Sequence, residues 1–239
     1  MKLQVLSDLH LDHHADMGAG FLRSLDPTSV DGLIVAGDVS QHASLRENLR
    51  SLCCLYPFVV YVAGNHEYYK SSPMEVAKTL KAVSKECPNF HWLNLTSIEI
   101  NGIRFSGTTL WFADAPANIL YRGQLNDFSM IRSFEPWVYG ENAKAKRFFR
   151  MCSRPDVVVT HHIPTDYGIT EQYRGDPLNR FFVTDLSGSI PFVAARYWIY
   201  GHTHIANRFD YCSTRFICNP LGYPHDGVNG FGGKLIIEV

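Results

Sequence analysis

Five short β-prone runs in this chain each end at a small polar cluster, and that alternation restricts the fold more than any other feature. Residues 3–6 run into Asp8-Leu9-His10, Gly32–Ala36 into Gly37-Asp38, and residues 58–63 into Gly64-Asn65-His66-Glu67. Farther on, residues 156–160 lead to His161-His162, and Tyr197–Tyr200 leads to Gly201-His202-Thr203-His204. Helical patterns lie between the early runs. Leu45, Leu49 and Leu52 recur at i, i+4, i+7 within residues 41–54. Ser72-Pro73-Met74-Glu75 reads as a capping box with proline at the first helical position. Val76, Leu80 and Val83 then form an apolar stripe that Pro88 ends. Strand and helix in alternation imply βαβ units around a mainly parallel sheet. In such sheets ligands bind beyond the carboxyl ends of the strands, so the five clusters can converge on one point.

The middle of the chain reads differently. Residues 97–100 and 103–107 pair around Asn101-Gly102, a strong hairpin signal. Residues 112–140 are irregular, aromatic and rich in Pro and Gly, too long for a simple connection. A helix is predicted from about residue 141 to 152, and a second polar insertion covers 164–180. Strands at 208–211, 215–218 and 234–239 close the chain. With no internal repeat, linker or low-complexity tract, the expectation is a single domain over 1–239 with loop insertions at about 112–140 and 164–180.

Composition bounds the partners. A chain of 239 residues, 46% hydrophobic and 19% charged, can bury a full α/β core. A net charge of −1 gives no global attraction to nucleic acid or anionic membrane. No apolar run is long enough to span a membrane, and the N-terminus lacks the pattern of a signal peptide. A cytoplasmic location is the default expectation. The six cysteines (Cys53, Cys54, Cys87, Cys152, Cys212 and Cys218) form no CxxC pair and read as buried free thiols, with a Cys212–Cys218 link as the alternative.

Alternation along an extended segment would put Asp8 and His10 on one face, and His202 and His204 likewise. Gly37, Gly64 and Gly201 each precede a candidate ligand, where a missing side chain permits a sharp turn or close packing. Carboxylate, imidazole and amide oxygen suit divalent Mn, Fe, Zn or Co, and no thiolate is in the set. His42, His91 and His225 have no such context and read as packing or surface residues.

The ordered pattern DxH, GD, GNHE, H and GHxH over residues 8–204 resembles the calcineurin-like metallophosphoesterase family. The resemblance implies an α/β fold, a four-layer α/β/β/α sandwich of two mixed sheets flanked by helices, with two divalent metal ions at one edge. Carried over by position, it implies Asp8, His10 and His204 on the first metal and Asn65, His161 and His202 on the second. Asp38 would bridge them. His161 is preferred to His162 because it directly ends the strand Val157-Val158-Val159. The implied activity is hydrolysis of phosphomonoesters or phosphodiesters by a metal-bridging hydroxide. Asp38 and His66 would be the catalytic residues, with His66 facing the phosphate as a protonated imidazole that stabilises charge or donates a proton to the leaving group. Asp12 and Glu67 would either orient a histidine or be solvated charges. One of His13 and His14 would line the cleft, Tyr69 would cap it, and His162 would support its loop.

Substrate selection is expected from the insertions. Trp111, Tyr121, Arg122, Asn126, Asp127 and Arg132 are the candidates in or beside the first, and Tyr173, Arg174 and Arg180 in the second. Their arginines either grip a second phosphate or carboxylate or are exposed loop charges. The aromatic first insertion favours a small or nucleotide-like phosphate ester, and the lack of a basic run disfavours a nonspecific nuclease. The rival reading is a non-catalytic protein-binding scaffold on the same fold. Such a scaffold would tolerate loss of a ligand, whereas this chain retains the whole set.

Overall fold

In the computed structural model, which describes residues 1–239, the strand-forming runs sort into two mixed sheets. In chain order the strands are Lys2–Leu6 (β1), Gly32–Ala36 (β2), Val59–Val62 (β3), Phe90–Trp92 (β4), Thr96–Ile100 (β5) and Ile103–Thr108 (β6). Val157–Thr160 (β7), Tyr197–Tyr200 (β8), Asn207–Tyr211 (β9), Thr214–Cys218 (β10) and Ile236–Glu238 (β11) follow. The first sheet has the order β11-β1-β2-β3-β4, parallel from β1 to β4 with β11 antiparallel at its edge. The second has the order β5-β6-β7-β8-β10-β9, parallel from β6 to β10 with antiparallel edges.

Side-chain alternation explains why these runs are apolar on both faces. Val5, Ile34, Val60 and Val62 of the first sheet meet Phe105, Val157, Val159 and Ile199 of the second, which makes the layer between the sheets. Leu33, Val35 and Tyr61 point the other way. They pack under His42–Leu55 and Pro73–Glu86 through Leu45, Leu49, Leu52, Val76, Leu80 and Val83. On the far side Val158, Trp198 and Phe216 pack under Trp137–Met151 and Ile190–Val193. Four layers result, helix on sheet on sheet on helix. Each fully buried Val, Leu or Ile contributes about 1.5–3 kcal/mol, and a one-residue slip would exchange the two faces of a strand.

Half of the expected capping box forms: the Glu75 N–H donates to Ser72 Oγ (3.4 Å), but Glu75 Oε2 accepts from the Ser72 hydroxyl (2.7 Å) rather than from the Ser72 N–H. The Asn101-Gly102 hairpin is present, with Ile100 paired to Ile103. Three expectations need correction. The helix expected from about 141 begins at Trp137, where Val138 supplies a buried contact in the first turn. Short helices at Asn118–Tyr121 and Asp127–Met130 interrupt the supposedly irregular first insertion. All six cysteines are free, but Cys54 and Cys212 are exposed, and only Cys53 and Cys218 are buried. No helix is long and apolar enough to cross a membrane.

Candidate metal centre

The segments leaving β1, β2, β3, β7 and β8 meet at one edge of the sandwich. Beyond β1 and β2 the chains stay zipped, with the Asp8 N–H donating to Gly37 O and the His10 N–H to Asp38 O, both at 3.0 Å. Two bonds tie the sheets together across the site. The His202 N–H donates to Asp8 Oδ1 (2.8 Å), and His161 Nδ1 lies 2.8 Å from Ala36 O. A carbonyl can only accept, so Nδ1 carries a proton, and Nε2 is the nitrogen turned inward that a cation would take once its own proton is displaced.

Extended alternation does not place these side chains. Asp8, His10, Asp38, His202 and His204 all have positive φ, at 51°, 42°, 56°, 71° and 51°. Each strand stops before its ligands, at Leu6, Ala36 or Tyr200, and left-handed turns at the ligand residues themselves swing their side chains to a common point. Such backbone costs about 1–3 kcal/mol per residue and persists where surrounding bonds over-determine it. Close packing, as expected, explains all three glycines: a Cβ on Gly37, whose φ is also +87°, would lie 2.4 Å from His161 Nδ1. A Cβ on Gly64 would lie 2.1 Å from Asp38 Oδ1, and one on Gly201 would lie 2.6 Å from Asp8 Oδ2.

Two groups of donor atoms result. Asp8, His10, Asp38 and His204 form one, and Asp38, His161 and His202 form the other. In the first, His10 Nε2 and His204 Nε2 are only 2.8 Å apart. In the second, His161 Nε2 lies 3.1 Å from Asn65 Oδ1 and 3.4 Å from Asp38 Oδ2. Asp38 Oδ2 also lies 3.7 Å from His10 Nε2, so this one oxygen faces both groups. Its other oxygen, Oδ1, accepts from the His66 N–H (2.9 Å).

The donor set fits divalent cations. Asp8 Oδ2 and His202 Nε2 are buried with no hydrogen-bond partner, electron-rich atoms that a cation would satisfy. Burial holds His10 and His202 well below the usual histidine range, in the neutral form that binds metal. Burial also works against charge on Asp38 and His161. Their mutual attraction prevails, holding Asp38 well below the usual carboxylate range and His161 up at about 10. Nitrogens sharing one ion at about 2.0–2.1 Å stand ~3 Å apart, close to the His10–His204 spacing.

A surrounding set of groups fixes these donors. Asp127 Oδ1 accepts from Asn65 Nδ2 and from Tyr69 Oη, each at 2.8 Å, which turns the Asn65 carbonyl oxygen toward His161. Asp226 Oδ2 accepts from His204 Nδ1 (2.8 Å) and from the Tyr223 N–H (2.7 Å). Glu67 orients no histidine. It accepts the N–H groups of Gly64 (2.6 Å), Val39 (2.7 Å) and Asp38 (3.1 Å), joining two ligand loops, and burial pushes its carboxyl up to about 8. Asp12 is 4.0 Å from His13 Nε2 and makes no hydrogen bond to a ligand. His162 is buried with its ring 4.3 Å from that of His202, consistent with support of the loop.

His66 sits beside this centre, its ring 4.5 Å from that of His10 and 4.2 Å from that of Tyr69. Its Nε2 shares a hydrogen bond with Tyr223 Oη (3.0 Å). Burial pushes His66 down to about 4 against the pull of Asp38, which favours the neutral imidazole over the protonated one. Tyr69 and His66 line the adjoining cleft, whereas His13 packs outside it against Tyr223, with ring centroids 4.8 Å apart. The sequence reading missed Tyr223 and Asp226. Only the need of a ligating His204 for an acceptor at its second nitrogen hinted at such a partner.

The insertion residues divide. Asn126 and Tyr173 line the cleft. Trp111 is buried against Tyr68 and His162 and belongs to the core. Arg122 pairs with Glu135 (3.2 Å) and Arg132 with Glu75. Arg180 lies 4.7 Å over the ring of Tyr121.

Comparison with known proteins agrees with this architecture. A sequence model described as calcineurin-like phosphoesterase matches residues 1–206. An uncharacterized protein of Acanthamoeba polyphaga mimivirus is 28% identical, with 99% of this chain and 96% of the relative covered. The phosphopantetheinyl hydrolase of Mycobacterium tuberculosis superposes with a TM-score of 0.74 at 21% identity, covering 93% of this chain and 90% of that one. A protein of Thermus thermophilus follows at 0.62 and 14%, covering 92% and 88%. These likenesses extend to the two-sheet sandwich, and the family implies divalent metal ions. With a match over most of its length and the ordered Asp, Asn and His clusters at one sandwich edge, the chain belongs to the calcineurin-like phosphoesterase family.

Proposed function

We propose that this protein is a binuclear metal-dependent hydrolase of phosphomonoesters or phosphodiesters. The observation that carries the reading is Asp38 Oδ2, which faces His10 Nε2 at 3.7 Å and His161 Nε2 at 3.4 Å and so belongs to both donor groups. Asp8, His10 and His204 would hold one ion, Asn65, His161 and His202 the other, and Asp38 both. Two divalent ions there, Mn, Fe, Zn or Co, would activate water at neutral pH and neutralise charge on the phosphate oxygens.

The chain's own groups do the rest. His66 lines the cleft next to Asp38 and, as a neutral imidazole, offers one N–H to a phosphate or leaving-group oxygen. Tyr223 Oη at 3.0 Å from Nε2 fixes the ring and can exchange a proton with it. The aromatic residues that suggested a nucleotide-like ester, such as Trp111, Phe112 and Phe134, are buried in the core. Tyr173, Phe182 and Tyr223 line the cleft in their stead. The name of the Mycobacterium tuberculosis neighbour makes a phosphopantetheinyl ester a natural compound to assay beside simple esters.

The test is turnover of a chromogenic phosphomonoester and its matching diester by metal-stripped protein resupplied with Mn²⁺. Asp38→Asn should lower turnover at least ~100-fold, since several kcal/mol of charge stabilisation is lost. Equal turnover in the variant would sink the binuclear mechanism.

A further inference from the structure

The cleft beside the metal centre encloses about 570 Å³, within the range of small-molecule sites. Both insertions and the loop after β10 build it. Its lining contains no lysine and no arginine. Leu125, Ile169, Leu178 and Phe182 provide an apolar wall, and Gln124, Asn126 and Gln172 place neutral amides among them. Beyond the metal-binding residues, the formal charge in the lining is negative, from Asp176 and Asp226.

Three of the four nearby arginines are engaged elsewhere. Arg122 is held by Glu135 and Arg132 by Glu75. Arg180 stacks over Tyr121 and donates from Nε to Pro177 O (2.8 Å). Arg174 is exposed and lies outside the lining. A second anionic group entering here would find no lysine or arginine in the lining and would approach Asp176. That combination disfavours its binding. An uncharged arm would lose little. Its aliphatic part would lie on the apolar wall, and amide groups along it would find donors and acceptors in the Gln and Asn side chains.

We infer that the organic arm of the substrate is uncharged, an aliphatic chain bearing amides, and that a carboxylate or second phosphate on that arm is selected against. The inference rests on the phosphoesterase reading for the position of the reacting phosphate. It adds the chemical class of what the phosphate is attached to. Polyphosphates and oligonucleotides fall outside this class.

Two hydrolysis-inert phosphonates with arms of equal length test it, one ending in a carboxamide and the other in a carboxylate. Their affinities for the Mn²⁺-loaded protein are measured by calorimetry. The carboxamide should bind at least tenfold more tightly. Placing a cation in the wall with Gln172→Arg should bring the carboxylate to within about threefold of the carboxamide. Equal affinities in the wild type, or a preference for the carboxylate, would overturn the inference. So would a Gln172→Arg variant with an unaltered preference, because the arm would then lie elsewhere. The chromogenic assay run in parallel separates the two claims. Selective binding without turnover would remove the catalytic reading alone, and turnover without selectivity would remove this inference alone.

Discussion

Asp127 holds Asn65 by its amide nitrogen at 2.8 Å, with Tyr69 Oη a longer second acceptor at 3.3 Å, and these contacts decide which end of the amide faces the metal centre. Removing the first in Asp127→Ala should weaken Mn²⁺ binding by about 10–100-fold, the usual effect of losing the partner that orients a ligand. Calorimetric titration of the metal-stripped variant measures this, and an unchanged affinity would mean that Asn65 is oriented by other contacts. Gly64→Ala is a complementary test. The added methyl would stand 2.1 Å from Asp38 Oδ1 and displace the carboxylate common to both donor groups. The expected result is a fold weakened by about 1–3 kcal/mol and a protein that retains little metal after dialysis, read by thermal melting and metal analysis. Full metal content would show that the loop can shift without moving Asp38. The candidate ligands were legible in the sequence because each closely follows a strand. Asp226 was not, and Asp127 was singled out only for substrate selection, because they act across 22 and 62 positions with no motif linking them to His204 or Asn65. The left-handed backbone at five of the seven candidate ligands was equally hidden, since Asp and His do not announce positive φ as glycine does.

At the scale of elements, the start of Pro73–Glu86 is where sequence and structure agree most closely. Glu75 receives hydrogen bonds from Ser72, Arg132 and Ser71, and together they lower its carboxyl from 4.5 to about 2. A carboxyl depressed in the folded state stabilises the fold above its unfolded value, and that contribution fades as pH falls from about 4.5 toward 2. Wild type should therefore melt above Glu75→Gln at pH 6, with the gap closing between pH 5 and 3. A gap independent of pH would show that the carboxyl charge contributes nothing. The interior strands were readable for a related reason. Buried on both faces, β2, β3 and β7 appear as unbroken apolar runs. β4, at three residues, is too short to show a period, and the first turn of Trp137–Met151 was obscured by Pro136 and Gly140.

For the molecule as a whole, the metal centre is a joint between the sheets. Asp8, His10, Asp38 and Asn65 come from the first sheet, and His161, His202 and His204 from the second. Ions bound there should stabilise the entire sandwich. At a concentration 100-fold above Kd the gain is about 2.7 kcal/mol, roughly 5–10 °C in melting temperature for a protein of this size. Calorimetry with Mn²⁺ and then with chelator measures it, and a shift of the same size in Asp38→Asn would place the stabilising ions elsewhere. The contacts of β1 carry a consequence for the order in which the protein is made. β11 closes the free side of β1, and the Leu221 and Gly222 N–H groups donate to Ser7 O and Asp8 O. A ribosome therefore releases the eighth residue more than two hundred residues before its neighbours exist. Until then β1 has one unpaired edge, open to chaperones or to misplaced strands. Asp8 cannot take its final position, and the first of the two donor groups is assembled only after residue 222 has been made.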